Sequence, residues 1–419
     1  MLSIDFIRLN KQKVIDALRN KNREKYIDNV EKILSLDEER KKLAAQSQKL
    51  REERNLISKK TFTEETKTRG RQIKEDLKSI EETLNATEKQ LQTLLSFIPN
   101  IPFDEVPIGK DATGNVLQHQ WGTPKQFKFP IKSHIELGKD LNIIDFERGV
   151  KVSGFRGYFL KNEGAVLHLS LLFYVLQKLI KKGYTPLIAP AIVKGFTLFG
   201  AGQFPWGQEE VYKLNDEDAY LSGTAEVPVT SYYANEILKE EDLPKKFVAF
   251  SPCFRKEAGS YGKDTKGMYR LHEFWKIEQV IIGKSNINEA RKIHDELQKN
   301  AEEILQDLNL PYQVLLMCTG DMGEPQHKKY DTETWMPSRQ GYGETMSNSI
   351  MGDFQTRRLN IKYRKKDGTK EYCFSFNNTA VASPRILIAL LENYQQEDGT
   401  VAIPDVLKSL TGFDVIKKK

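Results

Sequence analysis

The chain has 419 residues, 39% apolar and 29% charged, enough for two or three domains with an adequate core and one unusually charged part. A net charge of +6 permits a nucleic-acid partner without requiring one, and the widely separated Cys253, Cys318 and Cys373 offer no ligand-spaced pair, so no zinc site and a reducing compartment are expected. No uninterrupted apolar run approaches the roughly 20 residues of a membrane helix and the start, MLSIDFIRLNKQ, lacks the apolar core of a signal peptide, so a cytoplasmic protein with no membrane partner is expected.

Residues 1–98 hold one glycine, Gly70, and no proline, whereas the other 321 residues hold 26 glycines and all 16 prolines. That break places a domain boundary near Pro99. The first segment carries 22 Lys and Arg against 17 Asp and Glu, nearly the whole net charge. Leu36, Leu43, Leu50 and Ile57 recur every seven residues. Ile73, Leu77, Ile80, Leu84, Leu91, Leu94 and Ile98 follow three-four spacing, with Thr87 filling one gap. Arg40, Ser47 and Arg54 thin the first seam too much for a strong parallel homodimer. The spacing therefore predicts an antiparallel two-helix coiled coil over about 28–97, turning between Thr61 and Gly70. Such an arm is a spacer or dimerisation device, or else Lys41, Lys42, Lys49, Arg51, Arg54, Lys59 and Lys60 grip a phosphate backbone.

Residues 99–419 read as one catalytic-sized body. Pro99, Pro102 and Pro107 start a linker, and VSGFRGYFLKNEG predicts strands with turns. Ala165 to Lys182 is a helix with Val166, Leu169, Leu172, Phe173, Leu176, Leu179 and Ile180 as its apolar face. Gly183 ends it, and Tyr184 to Pro190 is a short strand. Thr224-Ala225-Glu226 precedes a helix, which is either a capping arrangement or a set of small polar groups and a carboxylate offered to a ligand.

Cys253 to Glu278 joins two apolar runs through a glycine-rich, basic stretch, predicting an antiparallel strand pair with a long connecting loop. Arg255, Glu257, Arg270, His272, Glu273 and Glu278 lie among Phe254, Phe274 and Trp275. This is a solvated face of a half-exposed sheet, or a site for a phosphate and an amine. In the second case the Arg255 fork takes phosphate or carboxylate, Glu257 and Glu278 accept hydrogen bonds and Phe274 stacks on a base. Further on, Ser383-Pro384-Arg385 opens the apolar helix Ile386 to Tyr394. An arginine at a helix start, which prefers anions, is most simply explained by a bound anion.

Phe254-Arg255-x-Glu257 with Arg270-x-His272-x-Phe274-x-x-x-Glu278 resembles motif 2 of the class II aminoacyl-tRNA synthetases, in the bacterial-type seryl form. The helix ending at Gly183 with its strand is similar to motif 1, and the strand, Asn377-Asn378-Thr379 turn, Pro384-Arg385 and helix to motif 3. The resemblance implies an α+β protein: an N-terminal coiled-coil arm and a catalytic domain on an antiparallel sheet flanked by helices. It implies serine activation by ATP and transfer to tRNA(Ser), with tRNA(Sec) also charged where one exists. The arm would hold the long variable arm of the tRNA, the loop Gly259 to Tyr269 would meet the acceptor end, and motif 1 would form a homodimer interface. Arg255 and Arg385 would be catalytic. Lys256, Glu257, Arg270, Phe274, Glu344, Thr345, Met346 and Ser347 would join them around ATP, with Glu344 and Ser347 holding Mg²⁺. Thr224, Ala225, Glu226, Arg255, Glu278 and Thr379 would bind L-serine. The chain departs from the family pattern at Glu273, at Thr345-Met346 and at Asn378-Thr379. Two other readings stay open: a serine-adenylating homologue that loads a different carrier, and an inactive RNA-binding relative.

Overall fold

The computed structural model describes residues 1–59, 61, 63–215, 217–260 and 266–418. Lys60, and residues 261–265 in the middle of the basic loop, lie outside them. The chain forms two compact units, Met1–Ile101 and Pro102–Lys419.

In the first unit, α1 (Ile4–Leu9), α2 (Lys11–Asn20), α3 (Ile27–Ile57) and α4 (Glu64–Ser96) follow one another. The long pair α3 and α4 run antiparallel. Val30 and Ile33 share a buried cluster with Leu91 and Leu95, while farther along Arg51 meets Glu81 and Arg69 meets Glu53. The heptad leucines on α3 are half-buried, and Ile73, Leu77, Thr87 and Leu91 on α4 are fully so. The turn is earlier than expected. Thr63 caps α4 in a reciprocal pair with Thr66, so the helix starts at Glu64 and Gly70 lies inside it. The two short helices were not expected either; they close the cluster with Ile7, Val14 and Leu18. Asp37 is buried in the α3 seam, where burial raises its carboxyl but Arg40, Lys41 and Arg8 outweigh that and hold it below the usual carboxylate range.

The second unit is built on an eight-stranded sheet. In chain order it contains β1 (Val116–Trp121), α5 (His134–Asp140), α6 (Phe146–Ser153), α7 (Asn162–Lys181), β2 (Thr185–Ile188), α8 (Glu226–Thr230), β3 (Lys245–Phe254), β4 (Glu273–Gly283), α9 (Ile287–Asp307), β5 (Tyr312–Leu316), β6 (Lys328–Met336), β7 (Gly341–Gly352), β8 (Phe374–Ala382) and α10 (Ser383–Asn393). The strand order is β1-β5-β6-β7-β8-β4-β3-β2, antiparallel throughout except for the edge pair β2 and β3. The expected hairpin is β3–β4, with Phe254 opposite Glu273 and Ala249 opposite Glu278.

Three local expectations are corrected. Of the stretch 152–164 only Phe159–Leu160 is a strand, paired with Ile144–Asp145: Val152 and Ser153 close α6, which the Asp145 side chain caps by accepting from the Arg148 amide, and Asn162 already opens α7. Asn377-Asn378-Thr379 is mid-strand rather than a turn. It can be, because Asn378 accepts from Gln279 at 2.6 Å and donates to the Ser347 carbonyl at 3.2 Å. In α7 the core face is Leu167, Leu171, Leu172, Val175 and Leu179, whereas Val166, Leu169, Phe173 and Ile180 of the expected face are exposed. The helix is apolar on two sides. By length and composition alone its 20 residues could cross a membrane, which counting uninterrupted apolar runs overlooked; 44% of the stretch is buried inside the unit.

Helix α9 covers one face of the sheet through a buried polar layer. Asn300 donates to Gln279 at 2.8 Å, and Asn348 donates to the His294 carbonyl at 2.9 Å. The last turn of α10 is tied through His134 to Met268, which follows residues 261–265 in the basic loop. Buried Glu392 accepts from the His134 amide and Nδ1 and from Ser338, while His134 Nε2 accepts from the Met268 amide at 3.2 Å. Gly267 is obligatory there: its φ is +73°, and a Cβ would sit 2.2 Å from His134 Nε2.

Candidate active site

The sheet face opposite α9 opens into a cleft of about 290 Å³. Residues on β4 alternate, so Phe274, Lys276 and Glu278 share the cleft side while Gln279 faces α9. Two bulges shape the wall: one between Ile277 and Glu278 against β8, the other opposite Thr332 and Glu333 on β7. Bulges re-aim side chains, and these lie where Glu278 and Glu344 enter the cleft.

Arg255 follows the last residue of β3. Its Nε donates to the Gly223 carbonyl at 3.3 Å, its guanidinium lies 5.2 Å from the Phe274 ring centre, and its two terminal nitrogens donate to no described residue. Arg385, in the first turn of α10, is the opposite wall. Its Nη1 donates to the Glu344 carbonyl at 2.7 Å and to Glu344 Oε2 at 3.1 Å, its Nε donates to the Tyr269 carbonyl at 3.1 Å, and it stacks on the Tyr269 ring. Burial raises the Glu344 carboxyl, but Arg385 and Lys329 outweigh it and hold it well below the usual carboxylate range. At the mouth, Arg270 pairs with Glu257 at 3.1 Å. Glu257 has φ +54°, and the next two amides donate to the Glu210 carboxylate at 3.2 and 2.9 Å, which fixes this uncommon backbone turn.

The deep end is a buried polar cluster. Lys276 Nζ donates to Glu278 Oε2 at 2.6 Å, Thr224 Oγ1 at 2.9 Å and Thr379 Oγ1 at 3.3 Å, and Thr379 donates to the same Glu278 oxygen at 3.1 Å. Thr224 also accepts from the Glu226 amide at 3.3 Å, but the N-cap of α8 is Ala225, which has no side-chain capping bond, so the capping box considered for Thr-Ala-Glu does not form. Glu226 is bonded by Gln355 at 2.7 Å, and burial first, then Glu278, pushes its carboxyl up to about 7.

Of the residues singled out in the sequence, Thr224, Glu226, Arg255, Glu257, Arg270, Phe274, Glu278, Glu344, Ser347, Thr379 and Arg385 all line this one cleft. Thr345 and Met346 border it with little side chain to offer: the Thr345 hydroxyl is bonded to Thr334 and the Thr332 carbonyl, and Met346 packs in the core. Ala225 is buried in a separate apolar cluster, and Lys256 alternates outward to lie over Tyr212. Sequence reasoning missed Lys276, Lys329, Ser349 and Asn377. Only Lys276 carried a usable signal, being two residues from both Phe274 and Glu278 on one strand face.

Residues 1–102 match the model of the seryl-tRNA synthetase N-terminal domain, and residues 210–394 that of the tRNA synthetase class II core domain for G, H, P, S and T. The serine--tRNA ligase of Symbiobacterium thermophilum is 40% identical over 428 aligned residues that span both chains completely. The chain belongs to the seryl-tRNA synthetase family. Among seryl-tRNA synthetases it is also similar to the Deinococcus radiodurans protein, 42% identical over 98% of each chain. The seryl-tRNA synthetase of Pyrococcus horikoshii, solved in complex with ATP, superposes with a TM-score of 0.93 at 39% identity over all of both chains. The cytoplasmic enzyme of Naegleria fowleri, solved with AMP, gives 0.88 at 31% identity over 100% of this chain and 99% of that one.

Proposed function

We propose that the protein is a serine--tRNA ligase that makes seryl-adenylate from L-serine and ATP and passes the seryl group to the 3′ end of tRNA(Ser), and of tRNA(Sec) where one exists. In the first step a serine carboxylate oxygen bonds to the α-phosphorus of ATP, the bond to the bridging oxygen breaks, and pyrophosphate leaves. The terminal nitrogens of Arg255 bind the carboxylate and the α-phosphate as negative charge moves between them. Phe274 stacks on the adenine, and Arg385 holds the far phosphates. Glu278, Thr379 and Thr224 surround the serine hydroxyl. The observation that carries this reading is Arg255, whose two terminal nitrogens donate to no described residue, in one cleft with Arg385 and with the deep Lys276–Glu278–Thr379 cluster.

Mg²⁺ fits the same wall. Glu344 and Ser347 offer hard oxygen donors to the cleft, and behind them the buried Asp331 Oδ1 has no hydrogen-bond partner among the described residues. Bound there, the ion would neutralise phosphate charge.

The pH dependence follows from Glu226. A carboxylate suits the serine ammonium, and Glu226 gains its charge only as pH rises through about 7. The kcat/KM for serine in pyrophosphate exchange should therefore rise across neutral pH, and Glu226→Gln should remove that inflection.

We assign residues 1–98 to tRNA binding through the coiled coil. Lys42, Lys49, Arg54 and Lys59 are exposed with no ion pair among the described residues, whereas Lys41 and Arg51 are partly engaged by Asp37, Glu38 and Glu81. Replacing those four with Gln should weaken tRNA binding, flatten its dependence on log salt by about 3, and leave pyrophosphate exchange unchanged. The exposed face of α7, from Val166 through Leu169 and Phe173 to Ile180, supports a homodimer in which a second copy covers it. Pyrophosphate exchange against each of the twenty amino acids, followed by charging of total tRNA, tests the whole reading: serine alone should support exchange, and tRNA(Ser) should be acylated.

A further inference from the structure

We infer that Lys276 is a positioning residue that sets selectivity for a hydroxyl-bearing side chain, which rests on the reading of this cleft as a serine site. Its ammonium has three donors, and all three are committed: to Glu278, to Thr224 and to Thr379. The side chain is 6% exposed and stands at the centre of the three residues around the hydroxyl, with no donor left for a ligand. It therefore acts through its neighbours.

Following each proton shows what it sets. Thr379 accepts from Lys276 and gives its own proton to Glu278 Oε2, so toward the cleft it is an acceptor only. Glu278 Oε2 takes two hydrogen bonds, from Lys276 and Thr379, which turns Oε1 to the cleft with no donor from a described residue. Thr224 Oγ1 accepts from Lys276 and from the Glu226 amide, so its proton is free to be donated. The cluster thus presents a charged acceptor, a second acceptor and one donor. A hydroxyl, which gives one hydrogen bond and accepts up to two, meets that set; a methyl group leaves it unpaired. Without the ammonium, Glu278 is left with no ion pair among the described residues, both threonine hydroxyls can rotate, and water can satisfy them. The penalty that alanine meets then disappears.

The test is pyrophosphate exchange by the full chain, wild type against Lys276→Met and Lys276→Gln. Serine and alanine are each varied, ATP is varied separately, and a circular-dichroism melt is recorded for each variant. The wild type should prefer serine to alanine by roughly 10⁴ in kcat/KM. The ratio should fall by about 10²-fold in Lys276→Met, mainly through the KM for serine, while the KM for ATP stays unchanged. Lys276→Gln, which keeps a donor for Glu278, should fall between, and it carries the test if the Met variant does not fold. A general loosening of structure would move the KM for ATP as well. Folded variants that keep the wild-type ratio, or that lose serine and ATP affinity together, would overturn the role of Lys276 alone. A wild type with no serine-dependent exchange would overturn the serine reading and this inference with it.

Discussion

Arg255→Ala should lower serine-dependent exchange of pyrophosphate into ATP by about 10³-fold, the upper end of what deleting one preorganised donor costs. The reason is geometric. Nε already holds the backbone at Gly223, which fixes the plane of the guanidinium, and the terminal nitrogens have no competing partner among the described residues to surrender. A group so arranged gives up little when charge develops against it. Because tRNA binding is assigned to other residues, filter binding of tRNA(Ser) should be unchanged in the same variant. Unaltered exchange would remove Arg255 from the mechanism.

Arg385→Ala should lower kcat/KM for ATP by a similar factor of about 10³, for two reasons. It removes the residue assigned above to the far phosphates, and it strands Glu344, whose carboxylate is charge-paired at 3.1 Å. Burial alone would raise the Glu344 carboxyl; Arg385 leads the groups that depress it. In the wild type, stability from this pair is present above the ordinary carboxylate range and is lost as pH falls through the depressed value. The variant should lose that acid-side resistance, seen as an earlier acid unfolding midpoint by fluorescence. Arg385→Lys should not restore activity, because Nε and Nη1 bond to different carbonyls and a point ammonium cannot span both.

Much of the arm was legible because a coiled-coil seam is a repeating pattern, and the half-buried Leu36, Leu43 and Leu50 lie where seven-residue spacing puts them. Thr63 was not legible as the start of α4. Its bond to Thr66 outweighs the breaking tendency of Gly70, and propensity alone cannot rank the two. Helix α7 was found, but its core side only in part: Leu172 and Leu179 are buried as expected, while exposed apolar residues such as Leu169 and Phe173 look the same along the chain as core ones. In the cleft, Arg255 just after β3, Phe274 and Glu278 on β4 and Arg385 on α10 were legible because charged side chains set among aromatics, or at a helix start, stand out along the chain. Lys276 was passed over because a lysine on a strand usually reads as a solvated side chain. Its burial depends on Thr224 and Thr379, which come to it from 52 residues earlier and 103 residues later in the chain.

A crystal structure of the protein with a non-hydrolysable seryl-adenylate analogue tests the central claim most directly. It should show the adenine on Phe274, the phosphate surrogate on the terminal nitrogens of Arg255, and the seryl hydroxyl on Glu278 Oε1. An analogue bound elsewhere, or bound in this cleft with its seryl hydroxyl turned away from Glu278, would contradict it.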